Sequence, residues 1–269
     1  MTASLPKISC LLVTADRPML CRRAILAYRQ QTYPHKELVV LDNGQEPMEH
    51  LLQDLPHEDV RYLRVEKAPG QYIGALRNQA LEAATGDLIV PQWDDDDWSH
   101  PERLARQAAV LQEGYDACTL AGTLMHVDAD PYFDRPFIGL LEGGVPPTIM
   151  HRRDAMIRYP NLRRTSDSHY INSWSRLRYA ILPPEQSHLY VRYFHGGNLW
   201  EQEHFLRRMR NTPRDWLAYA WYKYVRGDVF AHPRFRLSQE AREAFALYLA
   251  DSVACGLFPD RPVAEKAQV

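Results

Sequence analysis

The chain has 269 residues, 45% of them hydrophobic and 25% charged, with a formal net charge of −2. That length can bury a sizeable core, as one large α/β domain or two small ones, and the balanced charge excludes a global basic field drawing nucleic acid. No apolar run reaches the roughly 20 residues of a membrane span. The start, Met1-Thr2-Ala3-Ser4-Leu5-Pro6-Lys7, lacks a signal-peptide pattern. Cys10, Cys21, Cys118 and Cys255 are widely spaced without zinc spacing and read as reduced, buried thiols. A soluble cytoplasmic protein is expected, free to sit against the inner face of a membrane.

In chain order, residues 8–13 form an apolar strand, and residues 17–31 a helix with Leu20, Ala24, Ala27 and Tyr28 on one face. Residues 37–41 are a second strand ending in the turn Asp42-Asn43-Gly44. Residues 60–65 are a third, more polar strand, nearer an edge. A helix over 73–84 buries Ile73, Leu76, Ala80 and Ala84; Thr85-Gly86 ends it, and residues 87–90 are the fourth strand. A helix over 101–112 buries Leu104, Ala108 and Leu111. This βαβ alternation predicts a mainly parallel sheet with right-handed crossovers. Residues 115–122 read as another strand, 126–147 as a long loop, 148–151 as a short strand and 152–159 as a short helix. A helix over 167–179, a strand over 188–194, and helices over 213–225 and 238–254 follow. The tail after Pro259 reads as disordered.

Trp93-Asp94-Asp95-Asp96-Asp97-Trp98 is the most informative stretch. Four successive carboxylates repel one another, so a fold tolerates them in water or around a cation. They follow an apolar strand and precede Pro101-Glu102-Arg103-Leu104, a helix start. Ligands of open α/β sheets bind beyond the carboxyl ends of strands. Hard oxygen ligands there suit Mg²⁺ or Mn²⁺, which in turn hold a diphosphate. A solvated acidic loop is the plainer alternative, against which stand the flanking tryptophans and the strand–loop–helix setting. A calcium loop starting at Asp94 would want glycine at Ser99 and glutamate at Ala105, so that reading fails.

Several motifs then line up. The opening Ile8-Ser9-Cys10-Leu11-Leu12-Val13-Thr14-Ala15-Asp16-Arg17-Pro18, the pair Gln31-Thr32-Tyr33-Pro34 and Glu37-Leu38-Val39-Val40-Leu41-Asp42-Asn43-Gly44, and Gly74-Ala75-Leu76-Arg77-Asn78 precede the acidic run. Met150-His151-Arg152-Arg153, Ser166-Asp167 and Tyr190-Val191-Arg192-Tyr193-Phe194-His195-Gly196-Gly197-Asn198 follow it. Together the chain resembles a family-2 glycosyltransferase of the GT-A fold, from about residue 7 to 198. The resemblance implies an α/β, GT-A-like, Rossmann-type sandwich with a mainly parallel central sheet. The chain is read as a GT-A-like catalytic domain over 1–212, split into a nucleotide-sugar half (1–125) and an acceptor half (126–212), and a helical C-terminal extension with tail over 213–269, which lies outside the resemblance and is helical by its own pattern. Two positions depart from the family: Ala15 stands where a base-stacking Tyr is frequent, and Asn43 replaces the second Asp of a frequent pair.

The activity implied is metal-dependent, inverting transfer from a nucleoside-diphosphate sugar, by resemblance a UDP-sugar, to a hydroxyl-bearing acceptor. Asp96 is then the direct ligand of Mg²⁺ or Mn²⁺. Asp94 belongs to the ribose or to the metal's water shell, Asp95 to the donor site, and His195 faces the diphosphate as ligand or hydrogen-bond donor. Asp167 is the general base, although Ser166-Asp167-Ser168 also reads as a helix cap. Asp42 accepts from base or ribose, unless it is a simple turn residue. Thr14 and Asp16 border the nucleotide, and Arg77 reaches a phosphate as a bidentate donor. Asp97 caps the following turn. The basic pairs Arg152-Arg153, Arg163-Arg164 and Arg207-Arg208 meet phosphates or solvent. Trp216, Tyr219, Trp221, Tyr222 and Tyr224 form core or interface; their helix covers the acceptor site, makes a homo-oligomer or meets a membrane surface. A sugar nucleotidyltransferase would need a glycine-rich phosphate loop after the first strand, which Thr14-Ala15-Asp16-Arg17-Pro18 is not. A module of the same fold that binds nucleotide sugar or glycan without turnover is the remaining alternative.

Overall fold

The computed structural model describes residues 5–198 and 201–258. Strand β1 (Ile8–Thr14), helix α1 (Pro18–Arg29), β2 (Lys36–Asp42), β3 (Val60–Arg64), α2 (Ile73–Ala83) and β4 (Leu88–Val90) make the first half. Then come β5 (Trp98–Ser99), α3 (Arg103–Gln112), β6 (Ala117–Leu120), β7 (Gly122–Val127), β8 (Phe137–Leu140) and β9 (Met150–Arg152). The chain closes with α4 (Ser166–Trp174), β10 (Tyr179–Leu182), β11 (Tyr190–Phe194), α5 (Gln202–Leu206), α6 (Pro213–Ala220) and α7 (Gln239–Ala254).

Seven strands form the central sheet in the order β10-β6-β9-β4-β1-β2-β3. All neighbours are parallel except β9, which runs antiparallel to both β4 and β6. The sheet is covered on both faces, which is why its strands read as unbroken apolar runs. Cys10, Leu12, Leu38 and Val40 face α1, α3 and α7. Leu11, Val39, Leu41 and Ile89 face α2, and Ala117 faces α4. β3 is the half-exposed edge its polarity predicts.

The second half corrects several expectations. The single strand expected over 115–122 is two: β6 stays in the central sheet, and after Ala121 the chain enters a second sheet as β7. The expected loop over 126–147 contains the end of β7 and all of β8, which pair antiparallel in that second sheet of order β5-β11-β7-β8. No helix forms over 152–159; Arg152 ends β9, and the Asp154 carboxylate accepts from the amides of Met156 and Ile157, folding the segment back as a turn. The helix expected to reach 179 stops at Trp174, and Tyr179–Leu182 is an edge strand. The helix expected over 213–225 is α6 followed by a π-helical turn, Trp221–Val225. The four cysteines are free and buried. The tail after Pro259 lies outside the described residues.

Helix α7, with Ser238 as N-cap to the amide of Ala241 (3.2 Å), shares the main core through Ala241, Ala244, Phe245 and Tyr248. No helix among the described residues is long and apolar enough to cross a membrane.

Candidate active site

A cavity of about 380 Å³ opens beyond the carboxyl ends of β1, β2 and β4. It is lined by Thr14, Ala15, Arg17 and Asn43 of the first loops, by Asp94–Asp97 with Arg77 and Gln92, and by Arg163–Asp167, Arg192, Asn198 and Phe205 of the second half. Gly44 allows the first two loops to meet, since a Cβ there would lie 2.6 Å from Asp16 Oδ1.

The acidic run is held by its tryptophans. Trp93 Nε1 donates to the carbonyl of Ala24 (2.9 Å), and Trp98 Nε1 to Asp251 Oδ2 of α7 (2.8 Å). Between them each carboxylate has its own partners. Asp94 accepts from Arg77 Nη2 (3.0 Å). Asp95 accepts from Thr14 Oγ1 (2.7 Å) and Arg17 Nη1 (3.2 Å). Asp96 accepts from Asn198 Nδ2 (3.2 Å) and Arg17 Nη1 (3.4 Å). Asp97 accepts from the Tyr190 hydroxyl (2.9 Å) and the Tyr193 amide (3.0 Å), pinning the loop to β11.

These surroundings divide the ionisation. Burial, followed by the charge of Asp96, pushes Asp95 and Asp97 up to about 7. Burial acts on Asp96 in the same sense, but the facing His195 and the guanidinium groups of Arg17 and Arg23 outweigh it and hold Asp96 below the usual carboxylate range. Burial opposes the charge on Arg77, and Asp94 more than restores it.

His195 Nε2 is buried without a hydrogen-bond partner, 3.6 Å from Asp96 Oδ2. Its Nδ1 accepts from the Gly197 amide (3.3 Å), so the neutral ring carries its proton on Nε2, aimed at Asp96. That tautomer suits a hydrogen-bond donor better than a metal ligand. Among the described residues no three carboxylate, imidazole or thiol groups converge as a metal cluster. Asp96, ionised and lining the cavity, fits a hard divalent cation that takes its remaining ligands from water and a diphosphate. Asp94 gives one carboxylate oxygen, Oδ1, to Arg77, and Oδ2 remains for a cation or its water shell.

Asp167 also lines the cavity, in the first turn of α4. Among the described residues its carboxylate accepts locally, from the Ser168 amide (2.9 Å). Thr165, not Ser166 or Asp167, occupies the capping position, in the left-handed conformation (φ 65°) and without a side-chain cap. Strain of this kind persists where surrounding structure enforces it, often at functional sites.

Two expected residues are engaged elsewhere. Asp42 is fully buried, ion-paired with Arg64 (2.8 Å), and accepts from Tyr62 OH (2.6 Å) and the amides of Gly44 (2.9 Å) and Met48 (3.0 Å). It organises the loop after β2, while its neighbour Asn43 lines the cavity. Asp16, at φ 56°, accepts from the amides of Gln45 and Glu46 and faces Lys67, outside the lining. Thr14, Arg77, Asp94, Asp95, Asp96 and Asp167 all line it.

Sequence reasoning missed Arg17, Asn198, Arg192, Phe205 and the buried Arg23. Arg17 and Asn198 had a signal, lying in a strand–helix loop and a Gly-Gly-Asn turn beside named residues. Arg23 had none: it sits on the buried face of α1, donates to the carbonyl of Asp96 (2.7 Å) and Ser252 Oγ (3.1 Å), and lies between the rings of Tyr193 and Tyr248, 5.0 Å from each.

The sequence profile described as glycosyl transferase family 2 matches residues 9–171. The chain is 28% identical over 187 residues to "Putative glycosyltransferase EpsE" of Bacillus subtilis (strain 168), covering 64% of this chain and 66% of that protein. It is 33% identical over 101 residues to "Putative colanic acid biosynthesis glycosyl transferase WcaA" of Escherichia coli (strain K12), covering 37% and 36%. The fold is similar to that of S. aureus TarS 1-349 in complex with UDP-GlcNAc, with TM-score 0.58 and 19% identity over 93% of this chain and 81% of that one. It is also similar to the mannosyltransferase PcManGT of Pyrobaculum calidifontis in complex with GDP-Man and Mn²⁺, with TM-score 0.54 and 18% identity over 94% and 74%. The α/β sandwich is thus the GT-A fold.

Proposed function

Because the chain belongs to glycosyl transferase family 2, we propose that it transfers a sugar from a nucleoside-diphosphate sugar to an acceptor hydroxyl, with inversion. The observation that carries this is one cavity lined by both Asp96 and Asp167. The nucleotide lies over Thr14, Ala15 and Asn43, beyond β1 and β2. With Ala15 in place of an aromatic ring, base recognition rests on polar contacts such as the Asn43 turn.

In the reaction the acceptor oxygen bonds to the anomeric carbon as the bond to the β-phosphate oxygen breaks. The electron pair leaves with the diphosphate, and the hydroxyl proton passes to Asp167. Mg²⁺ or Mn²⁺ held at Asp96 would neutralise charge on the leaving diphosphate as a Lewis acid. Arg17 and Asn198 flank Asp96, line the cavity and offer the diphosphate further donors, while His195 faces Asp96 through its buried Nε2–H. Arg77 keeps Asp94 fixed beneath the site.

UDP is the favoured nucleotide, supported by the UDP-sugar complex of the TarS neighbour; the GDP-Man complex of PcManGT makes GDP the competing choice. The test is release of nucleoside diphosphate from a panel of UDP-, GDP- and dTDP-sugars with Mn²⁺ or Mg²⁺, before and after exhaustive chelation. Turnover that needs the metal and falls by orders of magnitude in a folded Asp96→Ala variant is expected. Full activity after chelation would remove the cation from the scheme. Donor binding without any release across the panel and an acceptor library would favour the non-catalytic module.

A further inference from the structure

The C-terminal third carries an apolar surface that the active site does not use. Trp216 (53% exposed), Leu217 (64%), Trp221 (55%), Tyr224 (73%) and Val225 (64%) lie within ten residues and all face outward. The opposite side of the same helix is fixed to the protein. Tyr219 is buried beside Met209 and Phe205, Asp215 pairs with Arg234 (2.9 Å), and the Tyr222 ring meets His232 edge-on. The outward side is therefore a fixed feature and not a frayed segment.

Local geometry spreads these side chains. Thr212 caps α6 by accepting from the Asp215 amide, and Pro213 occupies the first turn. At Trp221 the helix widens into a π turn, closed by the Arg226 amide donating to the Trp221 carbonyl (3.0 Å). Such turns are rare and concentrate at functional sites. Trp221, Tyr224 and Val225 of this turn are exposed, as are Trp216 and Leu217 of α6.

Charge identifies the occupant. Residues 201–228 hold six Lys and Arg against four Asp and Glu. Two of the acids are already matched, Glu203 by Arg210 and Asp215 by Arg234. Arg207, Arg214, Lys223 and Arg226 remain exposed around the aromatic stripe. A protein–protein core depletes lysine, whereas an interfacial helix combines Trp and Leu with flanking Lys and Arg. Tryptophan and tyrosine rings settle at the headgroup level of bilayers, and cations there meet anionic lipid.

We propose that α6 and its π turn are a docking surface for an anionic lipid bilayer. The surface adjoins the cavity, because Phe205 of the preceding α5 both lines that cavity and shares a core cluster with Tyr219 of α6. Docking through α6 brings Asp167 close to the bilayer surface, where a lipid-borne acceptor would present its hydroxyl. The docking itself does not depend on the transferase reading.

The test is co-sedimentation of the full chain with vesicles of phosphatidylcholine alone or with phosphatidylglycerol, at low and high salt. Binding to the phosphatidylglycerol vesicles that weakens with salt is expected. The double variant Trp216→Ser/Trp221→Ser should lose roughly tenfold or more in vesicle binding, and Lys223→Glu/Arg226→Glu a comparable amount at low salt only. These positions are exposed, so circular dichroism and nucleotide titration should match the parent. Absence of binding to anionic vesicles, equal binding to pure phosphatidylcholine, or unchanged binding by the serine variant would each overturn the proposal. So would a concentration-dependent dimer in light scattering that the serine variant abolishes, since the stripe would then serve a second copy.

Discussion

Replacing Asp97 separates structure from chemistry within the acidic run. Its side chain accepts from the Tyr190 hydroxyl and the Tyr193 amide, both buried. Asp97→Ala leaves two buried donors unsatisfied at ~1–3 kcal/mol each, so a loss of about 4 kcal/mol is expected. Asp97→Asn keeps an acceptor for the amide and supplies an N–H that the tyrosine oxygen can accept. It also removes a charge that burial penalises, so a change within about 1 kcal/mol is expected. The pH dependence gives an independent check. With its folded pKa raised to about 7 from 3.8, Asp97 binds more protons in the native state than in the unfolded chain between those values. Its contribution to stability therefore falls as the pH rises through that window. Asp95 is raised in the same sense, so the Asn variant should flatten the slope without abolishing it. Urea unfolding followed by the fluorescence of Trp93 and Trp98, with chelator present and from pH 5 to 8, measures both effects. An Asn variant as unstable as the Ala variant, or an Ala variant as stable as the parent, would refute this account of the loop.

Glu37 behaves oppositely. Buried, it accepts from Lys7 Nζ (2.7 Å), Ser9 Oγ (2.6 Å) and the amide and hydroxyl of Thr85 (both 2.6 Å). Burial alone would raise its pKa, but these donors bring it down to about 2 from 4.5. That stabilisation, up to about 3 kcal/mol, is present above pH 4.5 and is lost as the pH falls through 2. Glu37→Gln should therefore lower the melting temperature at pH 7 and narrow the gap to the parent near pH 2; equal melting at pH 7 contradicts it. Asp167→Asn should bind donor within about twofold of the parent while transfer falls roughly 10²–10⁴-fold, read by calorimetry and a product assay. Parental transfer by the Asn variant would exclude Asp167 as the base.

The first half of the fold was legible because its strands are buried on both faces and its helices carry single apolar stripes. β1, β2 and β4 thus appear as plain apolar runs between periodic segments. The second half defeats that rule. β7 and β8 belong to a small second sheet, and the chain changes sheets at Ala121 with no proline or glycine pair to announce it. The four residues of β10 follow α4 closely enough to read as its continuation. In the site, Asp94–Asp97 and Asp167 stood out by charge and spacing. Arg23 did not, because its contact with Asp96 spans 73 residues of sequence, and no local pattern encodes a partner that distant.

The acidic run raises a physical question that its partners answer. Four adjacent carboxylates repel one another, so each needs its own donor, and burial still raises the pKa of Asp95 and Asp97. Arg77 of α2 takes Asp94, and Thr14 at the end of β1 takes Asp95. Tyr190 and Tyr193 of β11 take Asp97. Three carboxylates are thereby used to tie the loop to three separate elements. Asp96 differs: its donors, Arg17 and Asn198, come from loops that themselves line the cavity, and the His195 N–H facing it lies beyond hydrogen-bond reach. Arg23 holds Asp96 by its backbone carbonyl, leaving the side chain to the cavity. The same arginine is bonded to Ser252, and Trp98 to Asp251, so α7 fixes the loop from behind. A helix outside the matched region of the family profile therefore determines how firmly Asp96 is presented. Loosening it, by Ser252→Ala or Asp251→Ala, should reach the site through the loop's backbone and not through any contact with substrate.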